Sequence, residues 1–512
     1  MKKHFPRLSR IALKDWLEYH PYNREVSSDH FYIDLCNDLQ HEILHTDVED
    51  HLVGADYKWL SCVLGCYFED IISQTGIWTS FIDEHSNLYG KYLPFYDMAG
   101  YERGDINLAD IQFLIWHFSS HLTIRSHFTD PYSLINAEIA HVVYNLLSET
   151  SGIAPRNDDL KEALTLKPDA DIDTVNEHLD FCFFGCYLHH YYMTTLLEEG
   201  TLDVKNRKGS QHDIDYKRLQ VLFNRVTPLL AQHSGEILAC WAGETHPLYK
   251  NLKSYSKCKE GIFLYEGCTV THFQMKHIAS GKLIDVKNPN WDFSLEAGKT
   301  IVRIGIVQWG DDWYAIGPAF PMKNTKISKI IDKEKSLFAP VSSQLGIVKR
   351  QDDCFLEVNQ NKRILFMGSK HETFLFIDRV WEAYHLKYGM DTIDRKMFDV
   401  LEVTFNVDDE LENLVIFFNP SAGMEFYPNI AQYISINNNP YFDKNAETNI
   451  ENLILDERIS TDFIRFLIEN KMIETEQLTG EEGYHYVLTD CDFLLRYWKK
   501  ERYLSEPNLF VE

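Results

Sequence analysis

Two dense apolar runs, Trp59 to Ile72 and Ile111 to Phe118, constrain the fold of this chain more than any other feature. They bracket an aromatic connection within the stretch Ala55 to Phe118, and both are predicted to be buried helices. The first run ends on a carboxylate pair, Glu69 and Asp70. A buried charge without a partner is costly, or shifts its pKa until it is neutral, so this pair needs partners. Glu69 and Asp70 are therefore the first candidate binding residues. The plainer reading is that they cap a neighbouring helix or pair with Arg or Lys.

At 512 residues the chain is long enough for two to four domains of ordinary size, and three are expected. A net charge of -27 disfavours general affinity for nucleic acid or anionic lipid, since such binding neutralises phosphates with clustered Lys and Arg. The ten cysteines (positions 36, 62, 66, 182, 186, 240, 258, 268, 354 and 491) lie mostly inside apolar runs, outside any dense disulfide framework, and read as reduced thiols. The N-terminus MKKHFPRLSRIALKDW has no apolar stretch of signal-peptide length, and no later segment approaches a membrane span. A cytoplasmic protein without membrane association is expected.

One formal catalytic pattern is present, His41-Glu42-Ile43-Leu44-His45, on a helix predicted over Asp29 to Thr46. Histidines four apart on a helix can ligate one metal while the intervening glutamate polarises its water. Glu69 lies at a plausible distance downstream for a third ligand. The geometry argues against it: at about 100° per residue both histidines fall roughly 160° from Ile43, opposite the stripe of Tyr32, Leu35, Cys36, Leu39 and Ile43. His41 and His45 are thus a disfavoured metal pair on a solvated face. Most of the E-x-x-H pairs (Glu42 with His45, Glu138 with His141, Glu382 with His385, Glu482 with His485) are explained by composition.

The first run has an echo. Gly65-Cys66-Tyr67-Phe68 precedes Glu69-Asp70, and Gly185-Cys186-Tyr187-Leu188 precedes His189-His190, each with a further cysteine four residues before its own (Cys62, Cys182). Side-by-side packing would bring carboxylates and histidines together, as a metal or acid-base site requires. The plainer reading is that Gly and Cys allow helices to approach closely.

Along the chain, the aromatic stretch after Gly76, Trp78 to Tyr101, reads as a packed loop. Ser148 to Asp173 reads as an exposed connection and Val175 to Glu199 as one buried helix. Gly261 to Pro318 alternates apolar and polar residues with a Gly310-Asp311-Asp312 turn between strands. Trp309, Asp311 and Trp313 are candidate binding residues there, an aromatic groove beside acidic groups, unless the rings are core. Farther on, FLEVNQ, RILFMG, ETFLFID, DVLEVTFN and ENLVIFFNP read as strands among helices. The fold class is α+β multidomain. An N-terminal α-helical domain (1–203) precedes a central small antiparallel β-barrel-like, SH3-like domain with a leading helix (219–320). A C-terminal α+β domain (351–512) ends in helix, hairpin around Gly483, helix. That ending is like a winged helix, but its surroundings are acidic, so DNA binding is not expected.

The segments Lys14 to Tyr22 (KDWLEYHPY), YFEDIISQTGIW, LYGKYLPFY and Val415 to Ile430 (VIFFNPSAGMEFYPNI) resemble domain-of-unknown-function family 3843, an uncharacterised family known from gut Bacteroidetes. The resemblance implies a bacterial, intracellular protein and supplies no catalytic residues. Phosphate-loop, dinucleotide-loop and nucleophile-elbow motifs are absent, so common nucleotide enzymes and serine hydrolases lose support. The expected function is a non-catalytic protein-interaction module whose partner is another protein, with no cofactor. The alternative is a metal-dependent hydrolase in the N-terminal helical domain, using zinc or iron on His41, Glu42 and His45, or on Glu69 with His189 or His190.

Overall fold

Trp16, on the short helix α1 (Leu13–Leu17), is fully buried and starts the helical core. The computed structural model describes residues 9–46, 54–122, 130–255, 258–287, 294–322, 346–389, 413–443, 450–473 and 485–503. Helix α2 (Asp29–Leu44) buries Tyr32, Leu35, Cys36, Leu39 and Ile43, the stripe expected from its spacing. Helix α3 (Gly54–Ser73) carries the first apolar run and packs along α2. The approach is close at Gly65, where a Cβ would stand 2.3 Å from Cys36 Sγ. Gly65 thus serves the packing of α3 on α2.

The aromatic stretch expected to be a loop begins as a helix, α4 (Ile77–Tyr89), and is irregular only after Gly90. Ile77, Trp78, Phe81, Ile82 and His85 form a buried stripe at helical spacing, which the density of aromatics obscures in the sequence. Helices α5 (Leu108–Leu122) and α6 (Leu134–Thr150) follow and pack on each other. The expected exposed connection contains α7 (Asp158–Leu164), whose N-cap Asn157 is buried. The single helix expected over Val175 to Glu199 is broken: α8 (Ile172–Asp180) runs into one π-helical turn (Phe181–Gly185), the chain bends at Cys186, and α9 (His190–Asn206) restarts. In that turn a Cβ on Gly185 would meet the Phe181 ring at 2.5 Å. Helices α10 (Gln211–Asn224), α11 (Ser234–Ala242) and α12 (Tyr249–Tyr255) lead into the strands.

Strands β1 (Lys259–Cys268), β2 (His272–His277), β3 (Leu283–Lys287), β4 (Ile301–Trp309) and β5 (Asp312–Met322) pair in the order β1-β2-β3-β5-β4, and β4 pairs back to β1. The expectation of an antiparallel sheet is corrected: β3 and β5 run parallel, Val286 opposite Trp313, so the sheet is mixed. An odd number of strands pairing in a closed ring cannot alternate direction throughout, so one neighbouring pair must be parallel. Phe263, Met275, Val286, Val302, Ile304 and Ile306 fill its interior.

Residues 346–358 form helix α13, so FLEVNQ is helical except for its end; ETFLFID lies in helix α14 (Lys370–Tyr388). DVLEVTFN lies outside the described residues. Strands β6 (Ile364–Met367), β7 (Leu414–Asn419) and β8 (Gly423–Tyr427) form an antiparallel sheet with β7 central. Every residue of β7 is buried because both faces are covered. Leu414, Ile416 and Phe418 join Phe355, Phe376 and Val380, whereas Val415 and Phe417 join the core around Phe463. Alternate residues of a strand face opposite ways, which gives the continuous apolar run.

Helices α15 (Ile450–Leu455), α16 (Thr461–Glu469), α17 (His485–Thr489), α18 (Cys491–Trp498) and α19 (Lys500–Tyr503) close the chain; the hairpin expected around Gly483 lies outside the described residues. Helix α18 packs into the N-terminal core. Phe493 meets Phe95, Phe113 and Trp116, and the Tyr497 hydroxyl lies 2.8 Å from both His117 Nδ1 and His121 Nε2. All ten cysteines are free, and no helix among the described residues is long and apolar enough to cross a membrane.

Candidate functional site

Asp70 and Glu69, adjacent near the end of α3, have different tasks. Asp70 turns toward the start of α4. Its carboxylate accepts from the backbone N–H groups of Gly76 (2.9 Å), Ile77 (3.2 Å) and Trp78 (2.6 Å), from the Thr75 hydroxyl, and from the Tyr187 hydroxyl at 3.0 Å. It thereby satisfies donors that the first turn of α4 leaves unpaired, as a capping carboxylate does. Burial pushes its pKa up, against the pull of the Thr75 and Trp78 donors. The capping reading accounts for Asp70. The echo motif does reach the first run, but through Tyr187.

Glu69 meets a histidine, and the histidine is His20, from the KDWLEYHPY segment. His20 Nε2 lies 2.8 Å from Glu69 Oε2, with both side chains buried, and His20 Nδ1 lies 2.9 Å from the Trp16 carbonyl. The other Glu69 oxygen accepts from Asn157 Nδ2 at 2.8 Å, and the same amide reaches the Tyr22 hydroxyl at 2.7 Å. Asp29, at the start of α2, accepts from the Trp16 indole N–H (3.0 Å) and the Val26 backbone N–H (2.8 Å). Ligand-capable atoms of His20, Asp29 and Glu69 all lie within 4.8 Å of one another. Burial works against a charged His20 ring, but the Glu69 carboxylate outweighs it and raises the His20 pKa, whereas burial raises that of Asp29.

His20 also lines a cleft of about 1020 Å³ between the end of α1, α3, α8, α9, α10 and β5. Its rim is acidic. Glu18, Asp173, Glu177 and Glu198 are exposed there, and among the described residues none forms an ion pair. Asp180 is paired with Arg218, at 2.8 and 2.6 Å. Trp59, 36% exposed, contributes an aromatic wall with Tyr191, ring centroids 4.6 Å apart, and Phe184 and Tyr314 add to it.

The other candidates are elsewhere. His41 and His45 sit on the exposed face of α2, rings 4.2 Å apart, with the His41 side chain 64% exposed and His45 Nδ1 2.7 Å from the His41 carbonyl. His190 lines the cleft and lies 2.7 Å from the Phe184 carbonyl; buried His189 packs among histidines, where burial drives its pKa down to about 3. Trp309 pairs across the hairpin with Asp312, and Trp313 with Gln308, so the two rings project to opposite faces of the sheet. Trp309 packs edge-on against Tyr255, while Asp311 and Trp313 border a shallow hollow of about 360 Å³ with His272 and Asp285. Sequence reasoning missed His20, Asp29, Asn157 and the cleft rim. The one signal for His20 was its place in the KDWLEYHPY segment.

Residues 10–237 match a family model described as "Protein of unknown function (DUF3843)". The matched region contains His20, Asp29, Glu69, Asn157 and the acidic rim; Val415 to Ile430 lies outside it. No curated protein and no solved structure matches the chain.

Proposed function

We propose that this chain, whose residues 10–237 carry the domain of that uncharacterised family, is a non-catalytic interaction protein that holds a basic segment of a partner protein in the cleft. The observation that carries the reading is the combination of four exposed carboxylates that form no ion pair among the described residues, Glu18, Asp173, Glu177 and Glu198, with the exposed face of Trp59. Carboxylates attract a Lys or Arg head, and an aromatic face adds a cation-π contact to it. A cleft of this volume is in the range of sites that bury most of a bound group. The net charge of -27 supports a basic partner through long-range attraction. The unpaired cysteines support a reducing compartment, the cytoplasm of a bacterium. The closed pairing order of β1 to β5 supports an SH3-like comparison, although Trp309 and Trp313 on opposite faces do not make one groove.

The test is a titration of the full chain with a lysine-rich peptide, followed by tryptophan fluorescence. Saturable binding weakened by Glu177→Gln with Glu198→Gln is the expected result. Folded protein that does not bind, or a variant that binds equally well, contradicts the reading. The hydrolase alternative gains nothing from His41 and His45, which are solvent-exposed on α2.

A further inference from the structure

The geometry points to a divalent metal site, independent of the peptide reading, formed by His20 Nε2, Glu69 and Asp29 at the junction of α1, α2 and α3. Three observations carry it. The first is charge. Two carboxylates and one imidazole are buried together, and among the described residues no Lys or Arg pairs with either carboxylate. The side chains around them, Trp16, Tyr22, Tyr32, Cys36 and Cys66, bring no positive charge. With both carboxylates ionised, even a protonated His20 leaves one negative charge in excess, and buried charge without compensation is strongly unfavourable. A divalent ion on neutral His20, Glu69 and Asp29 brings the sum to zero.

The second is the orientation of the imidazole. Nδ1 lies 2.9 Å from the Trp16 backbone carbonyl and donates there, which leaves Nε2, facing Glu69 at 2.8 Å, as the nitrogen that gives up its proton when a metal takes the place of that hydrogen bond. A ring held this way is the usual partner arrangement of a metal-ligating histidine. The third is the support of the carboxylates. Glu69 is held by Asn157, itself joined to Tyr22, and Asp29 by the Trp16 indole and the Val26 N–H. Outer partners of this kind fix the aim of ligating oxygens. Atoms within 4.8 Å of one another converge on an ion at about 2.0–2.2 Å with side-chain shifts of about 1 Å. One imidazole nitrogen with carboxylate oxygens suits zinc, manganese or ferrous iron rather than a thiolate-seeking ion. The ligands come from the segment after α1, from α2 and from α3, so the ion would fasten the N-terminal segment to α3 beside the cleft that His20 lines.

The experiment uses the untagged full chain, stripped with chelator and checked for folding by circular dichroism, then titrated with zinc by calorimetry. About one zinc per chain is expected, with a rise in Tm. Glu69→Gln should weaken binding by at least about a hundredfold and Asn157→Ala by about tenfold or more, while His41→Ala with His45→Ala leaves it unchanged. Should Glu69→Gln fail to fold, X-ray absorption of the zinc-loaded wild type decides. One nitrogen among oxygens supports the site, whereas two imidazoles or any sulfur overturn it. Folded wild-type protein that takes up no zinc, manganese or iron, or binding lost with His41 and His45, also overturns it.

Discussion

His20 and Glu69 are 49 positions apart in the chain, yet their side chains meet at 2.8 Å with almost no solvent exposure. Without metal, removing one member leaves the other buried and unmatched. His20→Ala should cost about 3–5 kcal/mol, the usual penalty for breaking a buried pair. Replacing both by apolar residues of similar volume should cost less than the sum of the two single changes. Urea unfolding of the four proteins in chelator measures this coupling.

Asp70 is predicted to matter for a different reason. Asp70→Ala strips the partners from the Gly76, Ile77 and Trp78 N–H groups and from Tyr187, and should cost about 2–4 kcal/mol. Asp70→Asn keeps an acceptor oxygen and should cost less. Hydrogen exchange should localise the loss to α4. Unchanged exchange at Gly76 to Trp78 in the Ala variant would contradict the capping assignment.

The contrast between these neighbours shows what the sequence made legible. The apolar runs, the need for partners at Glu69 and Asp70, and the exposed side of His41 and His45 follow from composition and helical period. Which partners are used does not, because His20 and Asn157 arrive from segments 49 and 88 positions away whose local pattern says nothing of Glu69. Helix α4 was hidden because its cap is Asp70, six residues before Gly76 and on another helix, so no capping residue precedes it. Trp309 and Trp313 suggest a groove until the register, Trp309 opposite Asp312, separates their faces. The closing of α18 onto Phe95 and His117 depends on contacts spanning most of the chain.

That closure should respond to acid. Burial holds the His117 pKa down at about 4, although the Leu188 carbonyl pulls it up, and the ring is pinned between Tyr497 and Leu188. The unfolded chain binds a proton near pH 6.5 and the folded chain only near 4. Its contribution is therefore complete above about pH 6.5 and is lost as pH falls toward 4, about 3 kcal/mol in all. His117→Asn should flatten this part of the stability-pH curve. Asp110, raised to about 7 by burial, has the opposite slope, so the difference between wild type and variant is the quantity to read.

Gly65→Ala should be destabilising by about 1–3 kcal/mol, since the added Cβ stands 2.3 Å from Cys36 Sγ in a packed core. Cys36→Ala in the same chain should recover part of the loss. Thermal unfolding of the pair measures it, and equal stability of Gly65→Ala and wild type would contradict the packing described for α2 and α3.

The measurement closest to the central claim compares two peptides of equal length, one lysine-rich and one glutamate-rich, titrated against wild type and the Glu177→Gln, Glu198→Gln variant while Trp59 emission is followed. The account predicts saturable binding of the lysine-rich peptide alone, weakened about three- to tenfold in the variant and further by added salt. Equal binding of both peptides, or lysine-rich binding indifferent to the variant and to salt, would contradict it.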